Sequence, residues 1–229
     1  MSNNISIDSN LKKSLVINCI IFVLVLLGTI FMYVGYQFMT NTTLLDNAGV
    51  ESFKFYTVDS NIIVGIASLI MVIYEVLLIT KKIEKIPKYV YVLKYIGVVG
   101  VSLTFLVTLL YLAPLLGKNF ILLYVNTNLL FHLIVPVLSF ISYVRYEKEI
   151  IGFKYTFIAL ISMFIYAIYY IVNILTHLDN GKVVKEYDWY GFVVGDTSSI
   201  IFAVIIFFII TYLISLLIYK LNKKFEVKN

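Results

Sequence analysis

Residues 198–219 have the sequence SSIIFAVIIFFIITYLISLLIY, which contains no charged side chain. An α-helix of this length is long enough to cross a hydrocarbon core of about 30 Å. Five earlier stretches have a similar length and character, and the six predicted spans are 15–38, 60–80, 93–116, 120–143, 155–176 and 198–219. The sequence therefore predicts an all-α polytopic membrane protein, a bundle of six transmembrane helices in a single integral-membrane domain over residues 1–229.

The composition of the whole chain supports this prediction. Hydrophobic residues make up 61% of the 229 positions, charged residues make up 14%, and the mean hydropathy is +0.96. A soluble domain of this size cannot keep so much apolar surface out of water. The first stretch is about twice as long as the apolar region of a signal peptide, so a retained helix is predicted. The single Cys19 excludes an internal disulfide and a multi-cysteine metal site, and no metal or cofactor is predicted.

The lysines and arginines divide unequally between the two sides of the predicted bundle. One side has only 4 of the 18, which are Lys54, Lys118, Lys182 and Lys185. The other 14 are Lys12, Lys13, Lys81, Lys82, Lys85, Lys88, Lys94, Arg145, Lys148, Lys154, Lys220, Lys223, Lys224 and Lys228. This asymmetry predicts that both termini are cytoplasmic. The net charge of +5 is then explained by orientation and by anionic lipid headgroups. Nucleic acid is not a predicted partner, because the basic residues are scattered over short segments.

The two longest connections lie on the side with few basic residues. They cover residues 39–59 and 177–197, and the second contains the aromatic residues Tyr187, Trp189 and Tyr190. Two interpretations are open. Either the two loops form a cap over an outward-facing cavity, or the aromatic residues anchor the last two helices at the membrane interface.

The second predicted helix has one small and polar face if it begins near Phe55. At about 100° per residue, Thr57 and Glu75 point the same way. The residues within about 80° of that direction are Asn61, Val64, Gly65, Ser68 and Met71. Packing against other helices explains such a face as well as a functional site does. Glu75 either faces protein or water inside the bundle or extends to the cytoplasmic surface.

His132 lies near the middle of the fourth predicted helix. Asn128 lies one turn before it on the same face, and Pro136 follows four residues later. Proline has no N–H group, so the carbonyl of His132 loses its usual helical partner and a kink is predicted. A titratable side chain at membrane depth, beside an amide and a kink, favours a functional site. A hydrogen-bonded packing histidine is the alternative.

Two short motifs resemble those of a known family. Residues 55–61, Phe-Tyr-Thr-Val-Asp-Ser-Asn, are similar to the Phe-x-Thr-x-x-Ser-Asn signature that opens helix 2 in six-helix bacterial membrane proteins. These proteins are related to the eukaryotic androgen-induced and androgen-dependent transmembrane hydrolases. Residues 132–136 are similar to the His-x-x-x-Pro motif of helix 4, and Asn128 falls where a polar residue commonly precedes the histidine. Many eukaryotic members carry a second histidine where this chain has Leu129.

The resemblance implies an intramembrane hydrolase of lipid esters, notably fatty acid esters of hydroxy fatty acids, in a bacterial cell membrane. It assigns Thr57 as the nucleophile and His132 as the base. Asn61 or Asn128 would orient the histidine or stabilise the oxyanion. The predicted partner is a membrane lipid or acyl ester substrate.

Two other functions remain open. A small-solute transporter or substrate-binding membrane component needs residues that couple to protons or ions, and Glu75 with His132 is the candidate pair. A structural or signalling membrane protein needs no such residues.

Overall fold

The structure is a computed structural model that describes residues 2–41, 48–147, 149, 151–192 and 198–227. Parts of both long loops, residues 42–47 and 193–197, lie outside the described residues, as do Lys148 and Lys228. The described residues contain six helices that are long and apolar enough to cross a membrane. They are α1 (Ser9–Val34), α2 (Tyr56–Ile79), α3 (Lys88–Tyr124), α4 (Asn126–Tyr146), α5 (Tyr155–Thr176) and α6 (Ser199–Phe225). This confirms the predicted six-helix membrane protein. We call the end of the bundle where α2 and α4 begin the outer end, and the opposite end the inner end.

The exterior of the bundle is apolar. Along α6, the side chains of Phe202, Ile209 and Leu217 are 67%, 55% and 53% exposed. Large exposed apolar surfaces are rare on soluble monomers, but they match the hydrocarbon of a bilayer. The chain is an integral multi-pass membrane protein.

The interior is organised around α3, which contacts α2, α4, α5 and α6. Tyr95 of α3 is fully buried, and its hydroxyl donates to the carbonyl of Ser215 in α6 at 2.6 Å. The backbones of α2 and α3 approach closely at Gly97, where a Cβ atom would lie 2.7 Å from the Cα of Val64. Close approach of this kind gives membrane helices extensive van der Waals contact.

The polar face predicted for α2 points into the bundle. Asn61, Ser68 and Glu75 are all buried, and Glu75 is only 1% exposed. The alternative in which Glu75 extends to the cytoplasmic surface is therefore wrong. Lys94, counted above among the 14 basic residues of one side of the bundle, is completely buried in α3.

The outer ends of two helices differ from the predicted spans. Helix α2 begins at Tyr56, not at residue 60, and α4 begins at Asn126, not at residue 120. The preceding segment Gly117–Tyr124 forms 3-10 turns, and Asn126 has a φ of 52°, a conformation that asparagine tolerates better than most residues. His132 consequently lies about 9 Å along the axis from the outer end of α4.

Helix α4 is irregular around His132. A π-helical turn at Leu130–Ile134 contains the histidine, and the α-helix Val135–Ile141 follows. Pro136 is the second residue of that helix and cannot donate a backbone hydrogen bond. The kink predicted from Pro136 stays a prediction, and the structure shows a π-helical turn directly before the helix that contains the proline, a deviation often found at functional sites.

The orientation of the bundle in the membrane stays a prediction, and cysteine labelling tests it. We expect Lys182→Cys to react with a membrane-impermeant maleimide on intact cells, and Lys85→Cys to react only after permeabilisation, because most basic residues lie on the inner side. Both lysines are exposed, which makes the two variants a matched pair. Both belong in a Cys19→Ser background. Labelling in the opposite pattern would reverse the assigned topology.

Candidate functional site

A cavity of roughly 110 Å³ lies between the outer parts of α2 and α4. Thr57, Asn128 and His132 line this cavity together, although they come from two helices. Phe131, Trp189 and Tyr190 contribute further walls. Three of the four residues predicted from the sequence therefore share one space. We call it the polar cavity.

Thr57 is the second residue of α2 and is half-buried. Its backbone carbonyl accepts hydrogen bonds from the Oγ of Ser60 at 3.1 Å and the Nδ2 of Asn61 at 2.7 Å. Within the described part of the chain, its side-chain hydroxyl makes no hydrogen bond. The helix therefore fixes the backbone of Thr57 and leaves the hydroxyl available on the cavity wall.

His132 is 4% exposed, and its Nδ1 lies 2.9 Å from the carbonyl oxygen of Leu123. A carbonyl only accepts hydrogen bonds, so we infer that Nδ1 carries a proton and donates it to Leu123. In the neutral ring, Nε2 then holds the lone pair and is the basic nitrogen. Leu123 lies in the 3-10 segment, so the irregular end of α3 sets the tautomer of the histidine.

Asn61 is completely buried and does not line the polar cavity. Its Nδ2 donates to the carbonyl of Thr57 and, at 3.2 Å, to the carbonyl of Phe131, the residue before His132. Asn61 therefore links the backbone of α2 at Thr57 to the backbone of α4 at His132. It is placed to hold these two residues in position, whereas Asn128 is the asparagine placed to contact a bound molecule.

Trp189 and Tyr190, from the loop between α5 and α6, form part of the wall of the polar cavity. The hydroxyl of Tyr190 accepts a hydrogen bond from the backbone N–H of Tyr56 at 2.9 Å, which satisfies a donor at the N-terminus of α2. Burial raises the pKa of Tyr190 to about 12, so its hydroxyl stays neutral at physiological pH. Tyr190 therefore caps the helix that carries Thr57.

The same loop is fixed to α5. Trp189 donates its indole N–H to the hydroxyl of Tyr166 at 3.1 Å, and the buried Asp188 accepts a hydrogen bond from Tyr170. The backbone N–H of Phe192 also donates to Asp188 at 3.1 Å. These bonds fit both a cap over the cavity and an anchor for the last two helices, so the two interpretations of this aromatic cluster stay predictions.

The sequence prediction missed Asn126, which does not line the polar cavity but fixes the start of the helix that carries Asn128 and His132. It is 2% exposed, its Oδ1 accepts from the backbone N–H of Met39 at 2.7 Å, and its Nδ2 donates to the carbonyl of Thr40 at 2.8 Å. These bonds attach the segment after α1 to the start of α4. The available signal is the pair Asn126 and Asn128 directly before an apolar stretch, since asparagine favours helix starts.

A second, apolar cavity of roughly 50 Å³ adjoins Thr57. Thr57 and Tyr190 belong to the walls of both cavities. The apolar cavity is otherwise lined by side chains such as Val107, Met163 and Phe207 from α3, α5 and α6. Thr57 therefore stands where a polar space meets an apolar one.

No family model, curated protein or solved structure matches this chain. Among the described residues, no group of three or more histidine, cysteine, aspartate or glutamate side chains is arranged to hold a metal ion.

Proposed function

We propose that the protein is an intramembrane hydrolase of lipid esters, with Thr57 as the nucleophile and His132 as the general base. The observation that carries this proposal is that both residues line the same cavity. A threonine hydroxyl is a weak nucleophile that needs a base, and a neutral imidazole is suited to that role near pH 7. The motif at residues 55–61 adds support and suggests a bacterial cell membrane as the location.

In the proposed reaction, Nε2 of His132 takes the hydroxyl proton while the Oγ1 of Thr57 attacks the ester carbonyl carbon. The side chain of Asn128 stabilises the negative oxygen of the tetrahedral intermediate. The C–O bond to the alcohol then breaks, and the alcohol leaves with the proton from Nε2. Water attacks the acyl-threonine with His132 again as base, which releases the fatty acid and restores the hydroxyl. Throughout, the carbonyl of Leu123 holds the proton on Nδ1.

The sizes of the cavities limit what enters them. Sites that enclose a whole drug-sized ligand have volumes of about 300–1,000 Å³. The polar cavity, at roughly 110 Å³, accommodates an ester group and a water molecule. The apolar cavity accepts the first carbons of an acyl chain, and the rest of the chain stays in the bilayer. A substrate that is itself a membrane lipid fits this arrangement, because its ester group enters the protein while most of its acyl chain stays in the bilayer.

Trapping of the acyl intermediate tests the proposal. Purified protein in detergent is mixed with an activated p-nitrophenyl acyl ester, quenched in acid and digested for peptide mass spectrometry. We expect the acyl mass on the peptide that contains Thr57, because deacylation is slower than attack on an activated ester. The Thr57→Ala protein provides the control. Hydrolysis at the wild-type rate by that variant would contradict the proposal.

A small-solute transporter is the second candidate, and one observation favours it. The buried polar side chains of α2 continue inward from the polar cavity through Asn61 and Ser68 to Glu75. A polar line through a bundle suits the movement of a solute or proton. The transporter interpretation predicted Glu75 and His132 as a coupled pair. In the structure, the charged neighbours of Glu75 are instead Lys94 and Glu147.

Glu75→Gln separates the two candidate functions. Glu75 lies about 27 Å along the axis of α2 from Thr57, so the variant should retain ester turnover within a few fold. Turnover is measured per folded protein, with elution volume in size-exclusion chromatography as the control for folding. Complete loss of turnover in a folded variant would favour transport.

A further inference from the structure

A second group of polar residues lies near the inner end of the bundle, away from both cavities. At its centre is Lys94 of α3, which is completely buried. Its Nζ donates to the Oδ1 of Asn18 and to the Oγ of Ser68, both at 2.6 Å, and lies 3.9 Å from the Oε1 of Glu147. We call these residues, together with Glu75, Ser14 and Ser142, the inner cluster.

Glu147, directly after α4, is the better stabilised of the two carboxylates in the inner cluster. Its Oε1 accepts hydrogen bonds from the Oγ of Ser142 at 2.8 Å and the Nδ2 of Asn18 at 3.2 Å. Its backbone carbonyl accepts from Asn222 of α6 at 2.9 Å. Burial raises the pKa of Glu147, and Lys94 and these two side-chain hydrogen bonds oppose that rise. Glu147 and Lys94 form the ion pair of the cluster.

Glu75 has fewer partners. It is 1% exposed, and within the described part of the chain it lies in no ion pair, whereas Glu147 pairs with Lys94. One carboxyl oxygen of each glutamate, Oε2, makes no hydrogen bond among the described residues. The charged groups that face it are Lys94 from α3 and Glu147 from the end of α4. Helix α1 contributes the neutral Ser14 and Asn18. Among the described residues, none in this environment provides a second positive charge for a second carboxylate.

The charges of the inner cluster do not balance if both carboxyl groups are ionised. One ammonium group then faces two carboxylates, and the excess negative charge is buried away from bulk water. A single bound proton restores neutrality. It belongs on the carboxyl group that lies outside the ion pair with Lys94, which is that of Glu75.

We propose that the inner cluster is a proton-binding site, in which Glu75 carries the proton at neutral pH while Lys94 and Glu147 remain ionised. Glu75 lies four residues before Ile79, the last residue of α2, so about 6 Å separates it from the inner end of the helix. The site therefore exchanges its proton with the inner side. Because its members come from α1, α2, α3 and the end of α4, the bound proton affects the packing of several helices at once.

Infrared spectroscopy tests this site without any assay of activity. A protonated carboxyl group has a carbonyl stretch that is well separated from the bands of a carboxylate. We expect the difference between the wild-type protein and Glu75→Gln at neutral pH to contain one such band. It should disappear reversibly as the pH of the wild-type sample is raised. Glu51→Gln, at an exposed glutamate of the outer side, is the matched control and should leave the band unchanged.

Two further variants test the charge balance itself. In Glu147→Gln, Lys94 has only Glu75 as an anion, so Glu75 should ionise and its band should weaken. In Lys94→Met both carboxyl groups should take up protons, and the band should grow. Absence of the band from the wild-type difference spectrum would overturn the proposal. Loss of the band on addition of sodium chloride at constant pH would also overturn it, because sodium would then be the bound cation. The wild-type pH titration decides the matter even where a variant fails to fold.

Discussion

Thr57→Ala and His132→Ala should each reduce hydrolysis of a fluorogenic lipid ester by about 10³-fold or more, since general base catalysis alone contributes roughly 10²–10⁴-fold. The two residues act in one step of the proposed reaction, so the double variant should be little worse than either single variant. Independent contributions would instead multiply. Initial rates in detergent, normalised to folded protein, measure this effect.

Three controls sharpen this prediction. Thr57→Ser keeps a hydroxyl and should retain part of the activity, whereas Thr57→Val keeps the shape without the hydroxyl and should lose it. Thr80→Val removes an exposed hydroxyl at the inner end of α2, which bonds only to backbone carbonyls of its own helix, and should keep most of the activity. Equal rates for the wild-type protein and Thr57→Val across a panel of esters would show that Thr57 is not the nucleophile.

Lys94→Met is expected to have the largest effect on stability. Removing one partner of a buried ion pair typically costs about 3–5 kcal/mol, because the remaining carboxyl group must either stay charged without a partner or take up a proton. Glu147→Gln in the same background should recover part of the loss, since it replaces that carboxyl group with a neutral amide. The exposed Lys85→Met is the control and should be close to neutral. Thermal unfolding in detergent, followed by circular dichroism, gives the comparison.

The loss in Lys94→Met should also depend on pH. Burial raises the pKa of Glu147, and the ammonium group of Lys94 lowers it. Without that ammonium group, the pKa of Glu147 in the folded variant is higher than in the wild-type protein. The folded variant then binds more protons than the unfolded chain above the ordinary glutamate pKa of about 4.3. Stability therefore falls as pH rises through the window above that value, and the deficit relative to the wild-type protein should shrink on acidification. A deficit that is constant between acidic and neutral pH would mean that lost packing, and not charge, is responsible.

The number and order of the helices could be predicted because long apolar stretches in a bilayer must satisfy their backbone hydrogen bonds internally. The start of α4 could not be predicted from the sequence. Residues 117–124 are apolar enough to continue a helix, but they form 3-10 turns. The helix starts at Asn126, whose side chain bonds to Met39 and Thr40, partners 87 and 86 positions away in the chain. No local pattern contains that information.

The candidate site, too, could be predicted only in part. Thr57, Asn128 and His132 could be singled out because polar side chains at membrane depth are costly and rare. The tautomer of His132 depends on the carbonyl of Leu123, and a backbone group leaves no signature in the sequence. The sequence counts Lys94 with the basic residues of the predicted cytoplasmic side and gives no sign that it is buried. Its partners Asn18, Ser68 and Glu147 come from three other parts of the chain, so only the packed bundle reveals its burial.

The π-helical turn at Leu130–Ile134 separates two halves of one helix that serve different ends of the bundle. A π turn holds one more residue per hydrogen-bonded ring than an α-helix, so it breaks the fixed angular relation between the residues before it and the residues after it. The outer half carries Asn128 to the polar cavity, and the inner half carries Ser142 toward Glu147. A rotation of one half is therefore expected to reach the other half less directly than along a continuous α-helix. Helix α2, which is continuous and carries both Thr57 and Glu75, is the more rigid connection between the polar cavity and the inner cluster.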